Sequence, residues 1–181
     1  MLSRPSPPLA DEVIRLEPLD RRYVPDFERL IADPDVVRNT RVPTSADAAF
    51  AATWVDRYVE GWDDCSRAGF AIVSDAGAFL GFAAIVDLDL GGRQGEIGYV
   101  VSREARGRGI AGRALRLVTD WALGALGLER VELHIDPGNE ASIRVAERVG
   151  YVREGVLRSV HFKEDARNDI AMYSLLRSDP R

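Results

Sequence analysis

Apolar positions along this chain recur at two spacings, and the spacing changes from segment to segment. Tyr23, Phe27, Leu30 and Ile31 fall at helical spacing behind a capping Asp20, and predict a helix over 21–32. Ala48, Ala52, Val55 and Tyr58 predict a second, starting at Thr44 or Ser45 and running to about Tyr58. The longest periodic run follows Gly109, where Leu115, Val118, Thr119, Ala122 and Leu126 share a face and Gly127 marks the stop. A shorter helix runs from Asn139 to Val149 and ends at Gly150. Between these lie β-rich stretches at Val13–Leu16, Phe70–Val73, Ala78–Val86, Gly95–Val101, Arg130–Ile135, Tyr151–Leu157 and Ile170–Leu176. Residues 33–44, with Pro34 and Pro43, read as a loop, and 161–169 as a charged loop. Residues 1–12 read as a flexible arm, which leaves one domain over 13–178. The order of elements predicts an α/β (α+β) fold: a mixed central sheet of six to seven strands flanked by about four helices.

Composition narrows the functions. A chain of 181 residues with 46% apolar content can bury a sizeable core. A formal charge of -5 argues against nucleic acid as a partner and suits an amine or a basic peptide. Cys65 is the single cysteine, so no intrachain disulfide or cysteine metal site is expected, which fits a reducing cytoplasm. The two histidines, His134 and His161, lack ligand spacing, so no metal is expected either. No apolar run reaches the roughly 18 residues of a membrane span, and the first residues lack the apolar core of a signal peptide.

The chemistry concentrates after the fourth strand. Glu96–Ile97–Gly98–Tyr99–Val100–Val101 leads into Arg106–Gly107–Arg108–Gly109–Ile110–Ala111, which opens the long helix. A strand, a Gly/Arg turn and a helix start make an anion cradle, with backbone N–H groups and the helix dipole directed at a phosphate. No Gly-Lys-Ser/Thr follows, and the glycines stand only at 107 and 109, so this is neither a P-loop nor a dinucleotide fingerprint. A phosphate-bearing cofactor of another kind is indicated. Strand alternation and its place before Gly98 make Glu96 a candidate base, provided burial raises its pKa, or a solvated carboxylate that orients an amine or a loop arginine.

Further motifs follow in order: Asp136–Pro137–Gly138–Asn139, Ala141–Ser142–Ile143–Arg144, Gly150–Tyr151, and Met172–Tyr173–Ser174–Leu175–Leu176. Together with the Glu96 and Arg106 runs they resemble the GCN5-related N-acetyltransferases (GNAT), and within them the RimJ/RimL type that acetylates ribosomal-protein N-termini. The resemblance covers about residues 11–177. Arg106, Gly109 and Ala111 fill the family's turn pattern.

The resemblance implies fourth and fifth strands splayed apart, with acetyl-CoA as co-substrate in a ternary complex. Backbone N–H groups of Arg106, Gly107, Arg108, Gly109, Ile110 and Ala111 would hold the pyrophosphate. The pantetheine arm would lie beside Tyr99, Val100 and Val101, with the N–H near Val100 on the thioester carbonyl. Asn139 is either a cofactor contact or an N-cap. Ser142 is a cofactor contact or the acid that protonates the thiolate. Tyr151 is a second candidate acid or a packing residue, and His134 a base or a structural histidine. The acceptor is a primary amine, on a protein N-terminus or a small molecule, in a pocket built by the first two helices and the 33–45 and 158–168 loops. A non-catalytic acetyl-CoA sensor is the contrasting reading, and would have Glu96 turned away or sealed. An edge strand near the C-terminus suits a homodimer.

Overall fold

In a computed structural model, which describes residues 1–180, the strands are β1 (Leu9–Ala10), β2 (Ile14–Pro18), β3 (Ala68–Ser74), β4 (Phe79–Asp89), β5 (Gln94–Val101), β6 (Arg130–Ile135), β7 (Val152–Lys163) and β8 (Ala166–Leu176). The helices are α1 (Val24–Ile31), α2 (Pro34–Asn39), α3 (Ala48–Asp64), α4 (Ile110–Leu123) and α5 (Glu140–Val149), with short 3-10 turns at Arg21–Tyr23 and Arg103–Ala105. All the strands form one sheet in the order β1-β2-β3-β4-β5-β6-β8-β7. The expected mixed sheet is present, extended by the two-residue β1.

Each face of the sheet carries its own core because side chains alternate along every strand. On one face Ile97, Leu133 and Tyr173 pack with Leu115 and Val118 of α4. On the other, Phe82 and Ala84 pack with Phe27 of α1 and Val55 and Tyr58 of α3. Phe82 receives Phe27 and Tyr58 edge-on, with ring centroids 5.0 and 4.8 Å away. Fully burying a side chain of this size contributes about 1.5–3 kcal/mol.

The sheet is continuous until β5 meets β6. β5 pairs with β4 along its length, from Asp89↔Gln94 to Gly81↔Val101. Its parallel pairing with β6 covers only Gln94↔Arg130, Gly95↔Val131 and Glu96↔Glu132. Beyond Glu96 the strands part, and β6 continues with β8 as far as Ile135↔Ala171. This is the expected splay.

Three segments differ from expectation. The 33–44 loop contains α2, because Asp33 caps it by accepting from Asp35 N at 2.9 Å and Pro34 sits in its first turn. The charged loop 161–169 is mostly the tip of the β7–β8 hairpin, turning at Glu164 and Asp165, both with positive φ. The arm of residues 1–12 lies against the domain: Leu2 is buried and its N–H meets Trp62 O, Leu9–Ala10 pair with β2, and Asp11 and Glu12 bind Arg113.

Candidate active site

The wedge between β5 and β6 exposes backbone that other strands use for pairing. Ser102 donates its N–H to Leu80 O at 2.9 Å, so the polar groups of alternate residues Val100 and Gly98 also face β4. Tyr99 and Val101 face the wedge instead, and Val101 O receives Arg106 Nε at 3.2 Å. The free N–H was expected near Val100. Alternation moves it one residue, to Tyr99 or Val101.

On the α5 side of the wedge, the Tyr99 hydroxyl is 2.7 Å from Ser142 Oγ. Burial pushes the Tyr99 phenol up to about 12, partly offset by that hydrogen bond. Asn139 caps α5, its Oδ1 accepting from Ser142 N at 3.1 Å. The capping role therefore holds, and it fixes the turn that presents Ser142. Tyr151 points elsewhere: it is buried in the α4 core, its hydroxyl 2.8 Å from Thr119 Oγ1. The structure thus brings Tyr99 to Ser142 and commits Tyr151 to packing.

The turn before α4 has the backbone of an anion cradle. Gly107 and Gly109 have φ of +72° and +76°, values that disfavour any residue with a Cβ. A Cβ built on either would meet nothing within 4 Å, so the space over the turn is open. Gly109 is the N-cap of α4 with no side-chain cap, leaving the first helical N–H groups of Ile110, Ala111 and Gly112 outward. Arg108 projects from the exposed turn. The Arg106 side chain, by contrast, reaches Asp33 and Asp35, at 2.7 and 3.0 Å.

The opposite face of the sheet carries the ionisable groups. Glu96 Oε2 lies 3.1 Å from His134 Nδ1 and 3.3 Å from Arg41. The other ring nitrogen of His134 is 3.3 Å from Glu132 Oε2. Glu132 binds Arg130 at 2.6 Å, and Arg130 forks onto Glu154 at 2.7 and 2.6 Å. Burial works to raise the Glu96 carboxyl, but the His134 hydrogen bond and charge, with Arg41, bring it below the ordinary glutamate range. The raised pKa expected of Glu96 is thus reversed. The partner moves the other way: the hydrogen bond that the ring donates to Glu96, against burial, holds the His134 imidazolium above the usual histidine range. Beside Glu96, a Cβ on Gly98 would meet nothing within 4 Å, so this face is open.

Two distant segments meet at the side of this face. Lys163 at the β7–β8 tip donates to Val37 O and, at 3.0 Å, to Thr40 O, and Thr44 N donates to Glu164 at 2.6 Å. His161 stands within electrostatic reach of Arg41, Lys163, Asp136 and Glu96, and burial followed by the two cations lowers its pKa. The 33–45 and 158–168 segments expected around the acceptor do meet here. Arg41 carried no signal in the sequence. His134 did: it alternates with Glu132 on a strand beside Glu96. Trp62 and Trp54 belong to the cores, Trp62 fully buried and Trp54 packed on Phe50 and Phe27.

A family model described as the acetyltransferase (GNAT) domain matches residues 14–152. The Bacillus subtilis (strain 168) protein named "Putative ribosomal N-acetyltransferase YdaF" is 31% identical over 137 residues, covering 76% of this chain and 74% of its own length. Spermidine N(1)-acetyltransferase of Escherichia coli (strain K12) is 28% identical over 150 residues, covering 82% of this chain and 78% of its own. The solved structure of RimL, a ribosomal L7/L12 alpha-N-protein acetyltransferase in complex with coenzyme A, shares the fold with a TM-score of 0.84 at 17% identity, over 93% of this chain and 96% of that one.

Proposed function

Since the chain belongs to the GNAT acetyltransferase family, we propose that it moves an acetyl group from acetyl-CoA to a primary amine by direct attack within a ternary complex. The observation that carries this reading is the wedge itself. One wall offers unpaired strand backbone, the Tyr99–Ser142 pair and an open glycine turn. The other offers a carboxylate–imidazole pair beside open space at Gly98.

The residues fit the cofactor. The open, left-handed Gly107 and Gly109 let backbone N–H groups of 107–111 approach a pyrophosphate, as the α4 N-terminus favours. The edge of β5 at Tyr99 and the Val101 N–H, on the side away from β4, suits the amide-bearing pantetheine arm by strand addition. When bound, acetyl-CoA supplies a thioester already activated towards an amine.

The chain supplies the rest. The N–H of Tyr99 or Val101 donates to the thioester oxygen, an oxyanion contact worth about 3 kcal/mol. Glu96 stays ionised and His134 takes the proton lost by the acceptor, the carboxylate stabilising the imidazolium that forms. Tyr99, kept protonated by burial, and Ser142 return a proton to the departing sulfur. A binding-only sensor has no use for an ionised pair at an open wall, so catalysis is the better reading.

For the acceptor, we favour the RimJ/RimL class, a protein N-terminal amine. The support is the motif order of the chain and its similarity to YdaF. Similarity to the spermidine enzyme keeps small amines in the test. The test is thiol release from acetyl-CoA with a panel of N-terminal peptides and small amines, followed by product masses. The expected outcome is one acetyl gained on a peptide α-amine. Acetylation only of polyamines would move the acceptor class. Coenzyme A binding without thiol release on any acceptor, in vitro or with ribosomal proteins, would overturn the enzymatic reading.

A further inference from the structure

Arg106 opens the cofactor turn, where a basic side chain invites a phosphate. Its guanidinium is engaged elsewhere. Nη2 donates to Asp33 Oδ2 at 2.7 Å, Nη1 to Asp35 Oδ2 at 3.0 Å and Nε to Val101 O at 3.2 Å. Its own backbone N–H meets Arg103 O at 3.4 Å, so Arg106 stands at the edge of the glycine cradle rather than in it. The fork spans two carboxylates, and the Asp33 side chain is only 11% exposed, so the contact is partly shielded from water and salt.

Those carboxylates both sit at the start of α2, where the other oxygen of Asp33 caps Asp35 N at 2.9 Å. The far end of α2 is held as well. Lys163 binds Val37 O and Thr40 O, and the next residue, Arg41, reaches Glu96 at 3.3 Å. A helix of six residues is a strut about 9 Å long. It joins the end of the cofactor turn to the carboxylate on the acceptor wall, through the Arg106 contacts with Asp33 and Asp35 at one end and, one residue past Thr40, through Arg41 at the other.

We propose that Arg106 is a positioning residue: through Asp33, Asp35 and α2 it couples occupancy of the cofactor turn to the placement of Arg41 against Glu96. The inference rests on the reading of the turn as the cofactor site and of Glu96 as part of the acceptor wall. It makes donor binding a precondition for a well-ordered acceptor wall. The side chain acts on the acceptor, although its position in the sequence belongs to the donor.

The test uses coenzyme A itself, with calorimetry for affinity and hydrogen exchange of residues 34–44 for coupling. It compares the wild-type chain with Arg106→Gln, Arg106→Lys and Asp33→Asn. In the wild type, saturation with coenzyme A should slow exchange across 34–44 by about fivefold, the lower range of site-to-site coupling. Arg106→Gln and Asp33→Asn should bind coenzyme A within about twofold of wild type but lose that slowing, and Arg106→Lys should regain part of it. Asparagine retains the cap of α2, so Asp33→Asn reads the same contact should Arg106→Gln melt early.

Slowing that persists in both Arg106→Gln and Asp33→Asn overturns the coupling. A tenfold loss of affinity in Arg106→Gln with none in Asp33→Asn overturns it in favour of a direct phosphate contact. Failure of the wild-type chain to bind coenzyme A overturns the cofactor reading first, and is distinguishable from both.

Discussion

The Glu96 carboxylate and the His134 ring lie 3.1 Å apart, on the two strands that separate just beyond them. Each holds the other in its charged form, so their contribution to stability has a defined pH window. The raised pKa of His134 gives stability that is complete below the ordinary value of 6.5 and lost as pH rises through the raised one. The lowered pKa of Glu96 gives stability present above 4.5 and lost as pH falls through the lowered one. Glu96→Gln should therefore be most destabilised between those two values, and the gap to wild type should narrow towards pH 9. Denaturant melts at pH 5.5 and pH 9 measure this, and an equal gap at both would refute the mutual stabilisation.

The same pair sets a kinetic expectation. The acceptor's proton needs an unprotonated His134, so kcat/KM should rise with pH through the raised His134 pKa. Removing the carboxylate in Glu96→Gln should move that inflection down and lower turnover by about 100-fold. A pH–rate profile with an amine of low pKa separates the enzyme's inflection from the substrate's. An inflection that stays in place would remove Glu96 as the group tuning His134.

Two tyrosines should respond differently to loss of a hydroxyl. Tyr99→Phe, which removes the partner of Ser142, should lower kcat by about 10–100-fold while leaving coenzyme A affinity near wild type. Tyr151→Phe, which removes the partner of Thr119 in the core, should cost about 1 kcal/mol of stability and leave kcat intact. Steady-state rates and thermal melts on both variants decide, and the reverse pattern would restore Tyr151 as the acid.

At the turn, Gly109→Ala forces a Cβ into a left-handed residue and should cost about 1–2 kcal/mol, with folding retained. Gly109→Trp additionally fills the open space and should abolish coenzyme A binding in calorimetry. Unchanged affinity in Gly109→Trp would move the phosphate site away from this turn.

Gly81 supports the wedge from behind. It has φ of +153°, and a Cβ there would meet Val100 O at 2.2 Å. Gly81→Ala should push β4 from β5, costing about 1–3 kcal/mol from strain and lowering kcat by moving the donor edge at Tyr99 and Val101. Stability lost with kcat unchanged would show the edge to be insensitive to its neighbour.

Periodicity made most of this fold legible. The α4 stripe of Leu115, Val118, Thr119 and Ala122 is buried as expected, and β6 runs from Arg130 to Ile135 as the alternation indicated. What escaped was decided by partners far away in sequence. Asp33–Pro34 is a helix start, but the two prolines bracketing 33–44 outweighed it, and α2 is held by Arg106 and Lys163. The charged tip at 161–169 lacks apolar alternation, yet it pairs as a hairpin because backbone hydrogen bonding does not require it. In the site, the glycine turn and Ser142 carried local signals. The depressed Glu96 pKa did not, because it arises, against burial, from His134 on the next strand and then from Arg41, 55 residues upstream.

The short pairing of β5 with β6 has a mechanical consequence. Gln94, Gly95 and Glu96 pair the two halves of the sheet along this line, with Arg93 O accepting from Glu129 N and Arg130 N just before them, so it is a short seam, and the Glu96–His134 contact lies across its open end. A force or ligand that spreads the halves pulls on that contact and on the Tyr99–Ser142 bond farther out. Proton transfer and the width of the slot are therefore linked, and a bound substrate that widens the seam also loosens the grip of Glu96 on the proton of His134.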